Sequence, residues 1–528
     1  MVYTLTSDQN SKQPLFVSEN VKCLCPPCSL EGTKENDETA SNSTIGGTST
    51  SSTSSTYYTY TGDSPPIQAL LPSNSTFRRW SPGADRIITY SFFEDDDFAN
   101  SYYGSETGVN EVSDAVKNNF RDIITWLENV IDIDFVEVDE TDPSTYGQIR
   151  VQNSDNPGYA YAYLPGFTQR AGDIHFKTSF DTSGNTNGFQ NGAGIYGYMA
   201  MIHELGHALG LDHTFGGTPL DPVFDHTDTS AMTYNVQFSG MNHAGTFMSL
   251  DVAALQHLYG AKAHNQGDTT YVFGNTIDQV TVNGVSDVNT SNSLKRLLWD
   301  SGGHDILDFS GLNYQSNGFK LDLRGGGMLA SAFHSSGITM YSTGIAYGFE
   351  VEKVINSSSD DKIYLNNVAN EISGYNPNVS TGQDIIYYGT SQDTLKLDYA
   401  SDQVTQSQSG QNLIINLGGN GSIELIDYYA NNDRIQITYT DPTPDPDPTP
   451  DPNLTPDPDP TPDPDPTPDP DPNPDPTPPV NNDIIMAEIG QVTNLDHNNQ
   501  TITLDHNFVN PVIFASPLSY NGAGPAIT

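Results

Sequence analysis

His203, Glu204, His207 and His213 share one stretch, His203-Glu-Leu-Gly-His-Ala-Leu-Gly-Leu-Asp-His213, the pattern H-E-x-x-H-x-x-G-x-x-H. On a helix, His203 and His207 stand one turn apart on the same face. Two imidazoles so placed can hold one zinc ion. Gly210 lets the chain leave the helix in a conformation other residues resist, and His213 can then swing back as a third ligand. Three nitrogen ligands leave one position open, which suits a catalytic zinc rather than a structural one. Glu204, next to the first ligand, can reach water at the metal rather than the metal itself.

Such a motif needs a helix to present it and a sheet to back it. The helix is expected over about 195–211, with Gly192, Gly194 and Gly197 just before or within its start. Upstream, Val109, Val112, Val116, Phe120, Ile123, Leu127 and Val130 recur at helical spacing and predict a long amphipathic helix over 109–130. Ile87–Phe93, Ile133–Val138, Gln148–Gln152, Ala160–Leu164 and Asp173–Phe176 read as short strands. This order implies an α+β domain, a twisted sheet backed by helices above a cleft. An extended peptide could lie in the cleft and pair with a sheet edge. Beyond a polar loop come Ser230-Ala-Met-Thr-Tyr234 and a further helix, Ser249 to Tyr259, with Val252, Leu255 and Leu258 on one stripe. From about 262 to 440, short strands between Asp, Gly and Asn turns predict an all-β region.

The 528 residues suffice for several domains. Twenty Lys plus Arg against 66 Asp plus Glu argues against nucleic acid or an anionic membrane as partner. The acidity suits either a secreted calcium-binding protein or plain solubility. In Asp441–Pro479, 19 of 39 residues are proline, so the run cannot be helical and stays near polyproline II. Its reach is on the order of 100 Å. The three cysteines, Cys23, Cys25 and Cys28, cluster in a polar leader, so no disulfide framework staples the fold. No stretch is apolar enough to span a membrane, and Met1-Val-Tyr-Thr-Leu-Thr-Ser7 lacks the features of a Sec signal peptide. Residues 1–76 are expected to lack order. Residues 483–528 resume alternating strands and stop at Pro525-Ala-Ile-Thr528, as a fragment of a longer chain would.

With Met232 and Tyr234 following the motif, the chain resembles the metzincin zinc endopeptidases and, within them, the serralysins. Ile88-Thr-Tyr-Ser-Phe92, Ala160-Tyr-Ala-Tyr-Leu-Pro-Gly166, Gly172-Asp-Ile-His-Phe176 and Asp251–Ala261 carry the likeness, which covers about residues 80–370. The segment from His213 to Met232 is short for that family. The resemblance implies that Met232 forms a turn beneath the zinc ligands and that Tyr234 lends a phenol oxygen to the resting zinc. In the mechanism it implies, zinc lowers the pKa of its water towards ~7. Glu204 takes the proton as general base and returns it to the leaving amine. The Tyr234 hydroxyl helps hold the oxyanion. The cysteine cluster does not match the inhibitory matrixin motif P-R-C-G-x-P-D; it is either a pro-segment cap for the zinc or incidental. The other histidines, His175, His226 and His243 among them, lack ligand spacing and are expected in packing or surface roles.

The likeness continues in Trp299-Asp300-Ser-Gly302-Gly303-His-Asp305-Ile-Leu-Asp308-Phe-Ser-Gly311. Carboxylates and turn glycines at such intervals suit calcium, which wants roughly six to eight oxygens, although an isolated copy would be a plain Asp/Gly turn. The resemblance implies calcium ligands at Asp300, Gly302, Gly303 and Asp305, joined by Asn265, Gly267 and Thr269 of a partner loop. Glu350 and Glu352 would close a second site with Gly303 and Asp305. The glycine-rich nonapeptides of the family β-roll are degenerate here. Asp361 and Ile363 survive in Asn356–Ile363 without the glycines, and Thr381-Gly-Gln-Asp384-Ile-Ile386 is a second weak copy.

The expected protein is a secreted zinc endopeptidase, acting on proteins or peptides as a monomer with Zn2+ and Ca2+ as cofactors. Its expected parts are a leader (1–76), a metzincin domain (77–262), a calcium-binding β domain with degenerate repeats (263–440), an acidic linker (441–480) and a partial β module (481–528). With no Sec signal, the family suggests type I export. Two alternatives stand beside this: a non-catalytic surface or adhesive protein on a metzincin scaffold, and a protease carried to a surface or carbohydrate by its C-terminal module.

Overall fold

Apolar residues at alternate positions build the first sheet. Ile88, Tyr90 and Phe92 of strand β3 (Ile87–Phe92) are buried, as are Ile149 and Val151 of β5 (Ile149–Ser154) and Ile174 and Phe176 of β7 (Ile174–Lys177). With β4 (Asp134–Glu137) and β6 (Ala160–Ala162) they form a five-stranded sheet in the order β4-β3-β5-β7-β6. Four strands run parallel; β6 lies antiparallel at the edge. Strands β1 (Ser49–Ser52) and β2 (Phe77–Trp80) pair antiparallel in a separate two-stranded sheet. The computed structural model describes residues 49–52, 65–71, 77–94, 102–141, 144–215, 218–235, 242–286, 288, 292–331, 342–430 and 432–440. The cysteine cluster, the acidic linker and the terminal module lie outside the described residues.

Helix α1 (Asp114–Leu127) buries Val116, Phe120, Ile123, Ile124 and Leu127 along one stripe. It starts later than the periodicity predicts. Asn110 forms an isolated bridge with Asn153, which holds the backbone extended there. The Asp181 carboxylate accepts from the Ser113 N–H at 2.7 Å and the Ser113 hydroxyl at 2.5 Å, fixing the point of entry. Helices α2 (Tyr196–Ala208) and α3 (Ser249–Tyr259) fall where the sequence predicts them. Within the leader expected to lack order, residues 65–71 are folded. Ile67, Ala69, Leu70 and Leu71 are buried, and the Leu70 carbonyl accepts the Asp212 N–H at 2.8 Å. Four apolar side chains in this short segment were too few to signal a core element in a polar leader.

Beyond residue 262 the chain is all-β among the described residues. Successive strands alternate between two sheets. Lys353–Ile355, Glu371–Tyr375, Thr394–Leu397 and Gln436–Tyr439 stack parallel in one sheet. Lys362–Tyr364, Gly382–Tyr387 and Gly421–Leu425 stack parallel in the other. Val354, Ile363, Ile372, Ile386 and Leu395 point inward and are almost wholly buried. This is a β-roll, and its turns explain how it dispenses with the repeat glycines. Asp384 accepts from the Asp361 N–H (2.8 Å), Asn356 Nδ2 (2.7 Å) and the Tyr375 hydroxyl (2.9 Å). Asp361 accepts from the Phe319 N–H (2.9 Å) and the Ser357 hydroxyl (2.6 Å). Protein donors thus satisfy the two acids that survive from the repeats. One apolar cluster runs from Ile67 to Ile435 and joins both regions into a single core.

Candidate metal centre

Helix α2 ends in a tight motif built around Gly210. The Leu211 N–H donates to Gly206 and the Gly210 N–H to His207, both at 2.9 Å, with Gly210 at φ 104°. This pattern of paired bonds with a left-handed glycine stops a helix and reverses the chain. The remaining carbonyls at the end find partners far away in sequence. Trp80 Nε1 donates to Ala208 at 2.8 Å and the Tyr259 hydroxyl to Leu209 at 2.7 Å.

The reversal brings His213 onto the face of α2 that carries His203 and His207. His213 Nε2 lies 3.3 Å from His203 Nε2 and 3.1 Å from His207 Nε2, and the donor atoms of the three residues all fall within 4.8 Å of one another. Each helical imidazole is anchored behind. His203 Nδ1–H donates to the Ala231 carbonyl (2.9 Å) and His207 Nδ1–H to the Leu211 carbonyl (2.8 Å). With Nδ1 protonated, the Nε2 lone pairs face inward. Burial pushes His203 down to about 3 and His207 below its ordinary range. Burial, with both neighbouring imidazoles, depresses His213 further. Three neutral nitrogens converging on one point form a donor set that fits zinc. Among the described residues no other His, Cys, Asp and Glu group meets that criterion.

Glu204 is buried beside this point, and burial raises its carboxyl to about 8. The Tyr234 hydroxyl lies 2.9 Å from His213 Nε2, with its ring stacked on His203. Met232 is fully buried under α2 against Gly206. The site residues expected of the centre are therefore brought together.

Three residues that sequence reasoning missed hold this arrangement. Asp251, the third residue of α3, is completely buried. It accepts from the Ser230 hydroxyl (2.6 Å), the Ala231 N–H (2.7 Å) and the Met248 N–H (2.9 Å). It thereby fixes the turn whose Ala231 carbonyl orients His203. Its place at a helix start was the available signal, since acids there accept free N–H groups. Asp225 accepts from the hydroxyls of Thr214 and Thr233, both at 2.6 Å, tying the neighbour of His213 to the neighbour of Tyr234. Phe215 stacks on the His213 ring at 4.8 Å and leaves 42% of its surface exposed. Neither Asp225 nor Phe215 had a signal in the local pattern.

The edge strand is braced from above. Glu106 accepts from the hydroxyls of Tyr163 (2.7 Å) and Tyr161 (3.3 Å). Behind it, buried His175 lies 3.0 Å from the Tyr102 hydroxyl and is driven down to about 4 by burial. Its packing role agrees with its lack of ligand spacing.

The residues expected to bind calcium gather in the β region. Thr269 N–H donates to Asp305 Oδ1 at 3.0 Å and the Thr269 hydroxyl to the Gly267 carbonyl at 2.8 Å. Gly302 N–H donates to Asp300 at 3.0 Å, the Tyr271 hydroxyl donates to the same carboxylate at 2.8 Å, and Asn265 Nδ2 reaches Tyr271 at 3.3 Å. Asp305 N–H donates to Glu352 at 2.7 Å. Gly303, at φ 135°, sits so close to the Gly267 carbonyl that a side chain would meet it at 2.7 Å. Burial first, then the charges of Asp300, Glu352 and Asp268, push the Asp305 carboxyl up to about 7. Such crowding of carboxylates and carbonyls fits calcium. Glu350 is exposed, and among the described residues no hydrogen bond draws it into this group.

A parallel sheet with one antiparallel edge, above a helix whose two histidines meet a third beyond a glycine turn, defines the metzincin class. The Matrixin family model matches residues 80–260, and the model for the Peptidase M10 serralysin C terminal matches residues 261–441. The two matches abut, and the chain belongs to the serralysin-type metzincin metalloprotease family. Serralysin C of Dickeya chrysanthemi is 32% identical over 219 residues, covering 38% of this chain and 42% of that protein. Metalloprotease AprA of Pseudomonas entomophila is 30% identical over 240 residues, 41% of this chain and 46% of that protein. Serralysin of Proteus mirabilis is 28% identical over 326 residues, 55% and 61% respectively. The chain thus spans about half the length of the curated relatives it matches. No helix among the described residues is long and apolar enough to cross a membrane.

Proposed function

We propose that this chain is a secreted zinc endopeptidase that hydrolyses peptide bonds within proteins. The observation that carries the reading is the convergence of the His203, His207 and His213 Nε2 atoms beside buried Glu204. These three imidazoles would hold the metal, with Tyr234 as an additional oxygen ligand at rest. Zinc bound there supplies a Lewis acid that polarises the scissile carbonyl and makes water more acidic. Glu204 accepts the proton of the attacking water and delivers it to the leaving amine. The Tyr234 hydroxyl donates a hydrogen bond to the oxyanion. The β6 strand, held by Glu106 through Tyr161 and Tyr163, ends the sheet, and an extended substrate would add to it there.

The rest of the chain supports that work. We assign calcium to Asp300, Asp305 and Glu352 with the loop of Asn265, Gly267 and Thr269 and the Gly302–Gly303 turn. The proposed parts are the metzincin domain over 77–262 and the β domain over 263–440, followed by the linker and terminal module.

A casein assay with and without chelator, beside Glu204→Ala, tests the reading, together with metal analysis of the purified full chain. One zinc per chain, cleavage abolished by chelator and an inactive but folded variant are expected. Cleavage indifferent to chelator would overturn it. Recovery of active chain from the culture supernatant of the source cells tests secretion.

A further inference from the structure

Between α2 and α3 there is no helix or strand among the described residues, and side chains help anchor the loop that carries Ala231, Met232 and Tyr234. Asp251 and Asp225 are two anchors. A third comes from the β region. Lys295, the first residue of strand Lys295–Leu298, places Nζ 3.0 Å from Asp228 Oδ1 and donates to the Thr227 hydroxyl at 2.6 Å. The Ser342 hydroxyl, on the parallel neighbouring strand, donates to the same Asp228 oxygen at 3.2 Å. The Lys295 and Asp228 side chains are both 0% exposed.

The backbone of that strand docks on the same region. Lys295 N–H donates to His243 at 3.0 Å, its carbonyl accepts from Gly245 at 2.8 Å, and Leu297 N–H donates to the Thr246 hydroxyl at 3.0 Å. Asp228 stands three residues before Ala231, whose carbonyl orients the His203 ring at 2.9 Å. Burying an ammonium and a carboxylate together adds little net stability over an apolar pair, because both lose water. What the pair supplies is one specific placement of the loop. Ligand orientation depends on partners of this kind behind the metal-binding residues.

We propose that Lys295 is a positioning residue for the zinc centre: by pinning Asp228 from the β region, it sets where the Ala231 carbonyl holds His203. The β region then completes the active site and is not a detachable appendage. This rests on the zinc-peptidase reading.

The test uses the full chain as wild type, as the neutral pair Asp228→Asn/Lys295→Met, and as Ser342→Ala. The neutral pair leaves no stranded charge, so its defect reports loss of placement. The readouts are zinc retention against a competing chelator well below the unfolding temperature, the His203 Nδ1–H resonance, and kcat and KM on a peptide. The double variant is expected to hold zinc at least about tenfold more weakly, to shift the His203 resonance and to lose kcat with KM little changed. Ser342→Ala is expected to fall between it and wild type. A folded double variant with wild-type zinc retention, resonance and kcat would overturn the proposal. Should the double variant not fold, unchanged zinc retention in Ser342→Ala overturns it and weakened retention supports it. Wild-type chain that neither holds zinc nor cleaves would instead defeat the underlying zinc-peptidase reading.

Discussion

The thioether of Met232 lies against Gly206, the residue directly before His207, so closely that a methyl group on Gly206 would come within 2.6 Å of Met232 Sδ. The helix can approach its supporting turn only because this position has no side chain. Gly206→Ala is therefore expected to push α2 and the turn apart, although alanine is the better helix former. Overpacking of this kind costs roughly 1–3 kcal/mol. Thermal unfolding and zinc retention should both decline. A variant with the melting temperature and zinc affinity of the wild type would show that the contact is slack.

The Glu204 side chain is buried and does not belong to the converging nitrogen set. Glu204→Gln preserves its shape and removes its basicity. We expect kcat/KM to fall roughly 10²–10⁴-fold while zinc stays bound and stability is unchanged or improved. Substantial residual cleavage at one zinc per chain would assign the base elsewhere.

His175 gives a stability dependence on pH. Burial depresses it from the usual 6.5 to about 4, against a smaller upward pull from Glu106, with Arg150 and Arg170 adding to the depression. The unfolded chain therefore takes up this proton first. The contribution is intact above pH 6.5 and is lost as the pH falls towards 4, up to about 3 kcal/mol over the whole window. Nearby Asp173, raised to about 8 by burial, titrates in the opposite sense, so the comparison must isolate His175. Urea unfolding of wild type and His175→Gln at pH 7.5 and 4.5 does so. The wild type should lose more stability than the variant; equal losses would refute the assignment.

Calcium should stabilise the chain through Asp300 and Asp305 and not through Asp361 and Asp384. Asp305 is faced by the charges of Asp300, Glu352 and Asp268 and accepts the Thr269 N–H, whereas Asp384 already accepts from three donors, the Asp361 N–H, Asn356 Nδ2 and the Tyr375 hydroxyl. A ligand at 100 times its Kd adds about 2.7 kcal/mol to folding. Melting curves with calcium and with a calcium-selective chelator should separate for the wild type. The separation should shrink in Asp305→Asn and persist in Asp361→Asn. Full calcium response in Asp305→Asn would remove that loop from the calcium sites.

Much of the centre was legible because it is local. His203 and His207 need only a helix, and His213 needs only the glycine turn that follows. The whole donor set is written within one short stretch. Helix α3 was legible to the residue from its apolar stripe. The start of α1 was not, because Val109 and Val112 keep the helical period while Asn110 and Ser113 are claimed by Asn153 and Asp181. Asp251 stands in the first turn of α3, where an acid can accept free N–H groups, but the helical period does not tell a buried anchor from an exposed acid.

The family, the spacing of the three histidines with Glu204 beside the first, and the alternation of strands in the β region were readable from the chain's own residue order. Each follows from spacings of a few residues, where chain geometry alone decides which groups meet. Only the tertiary structure decided what holds those groups still. The Ala231 carbonyl behind His203 is 28 residues away, the Lys295 hydroxyl partner Thr227 is 68 away, and the Trp80 indole that caps α2 is 128 away. Such contacts form when the whole core closes, and no local period records them.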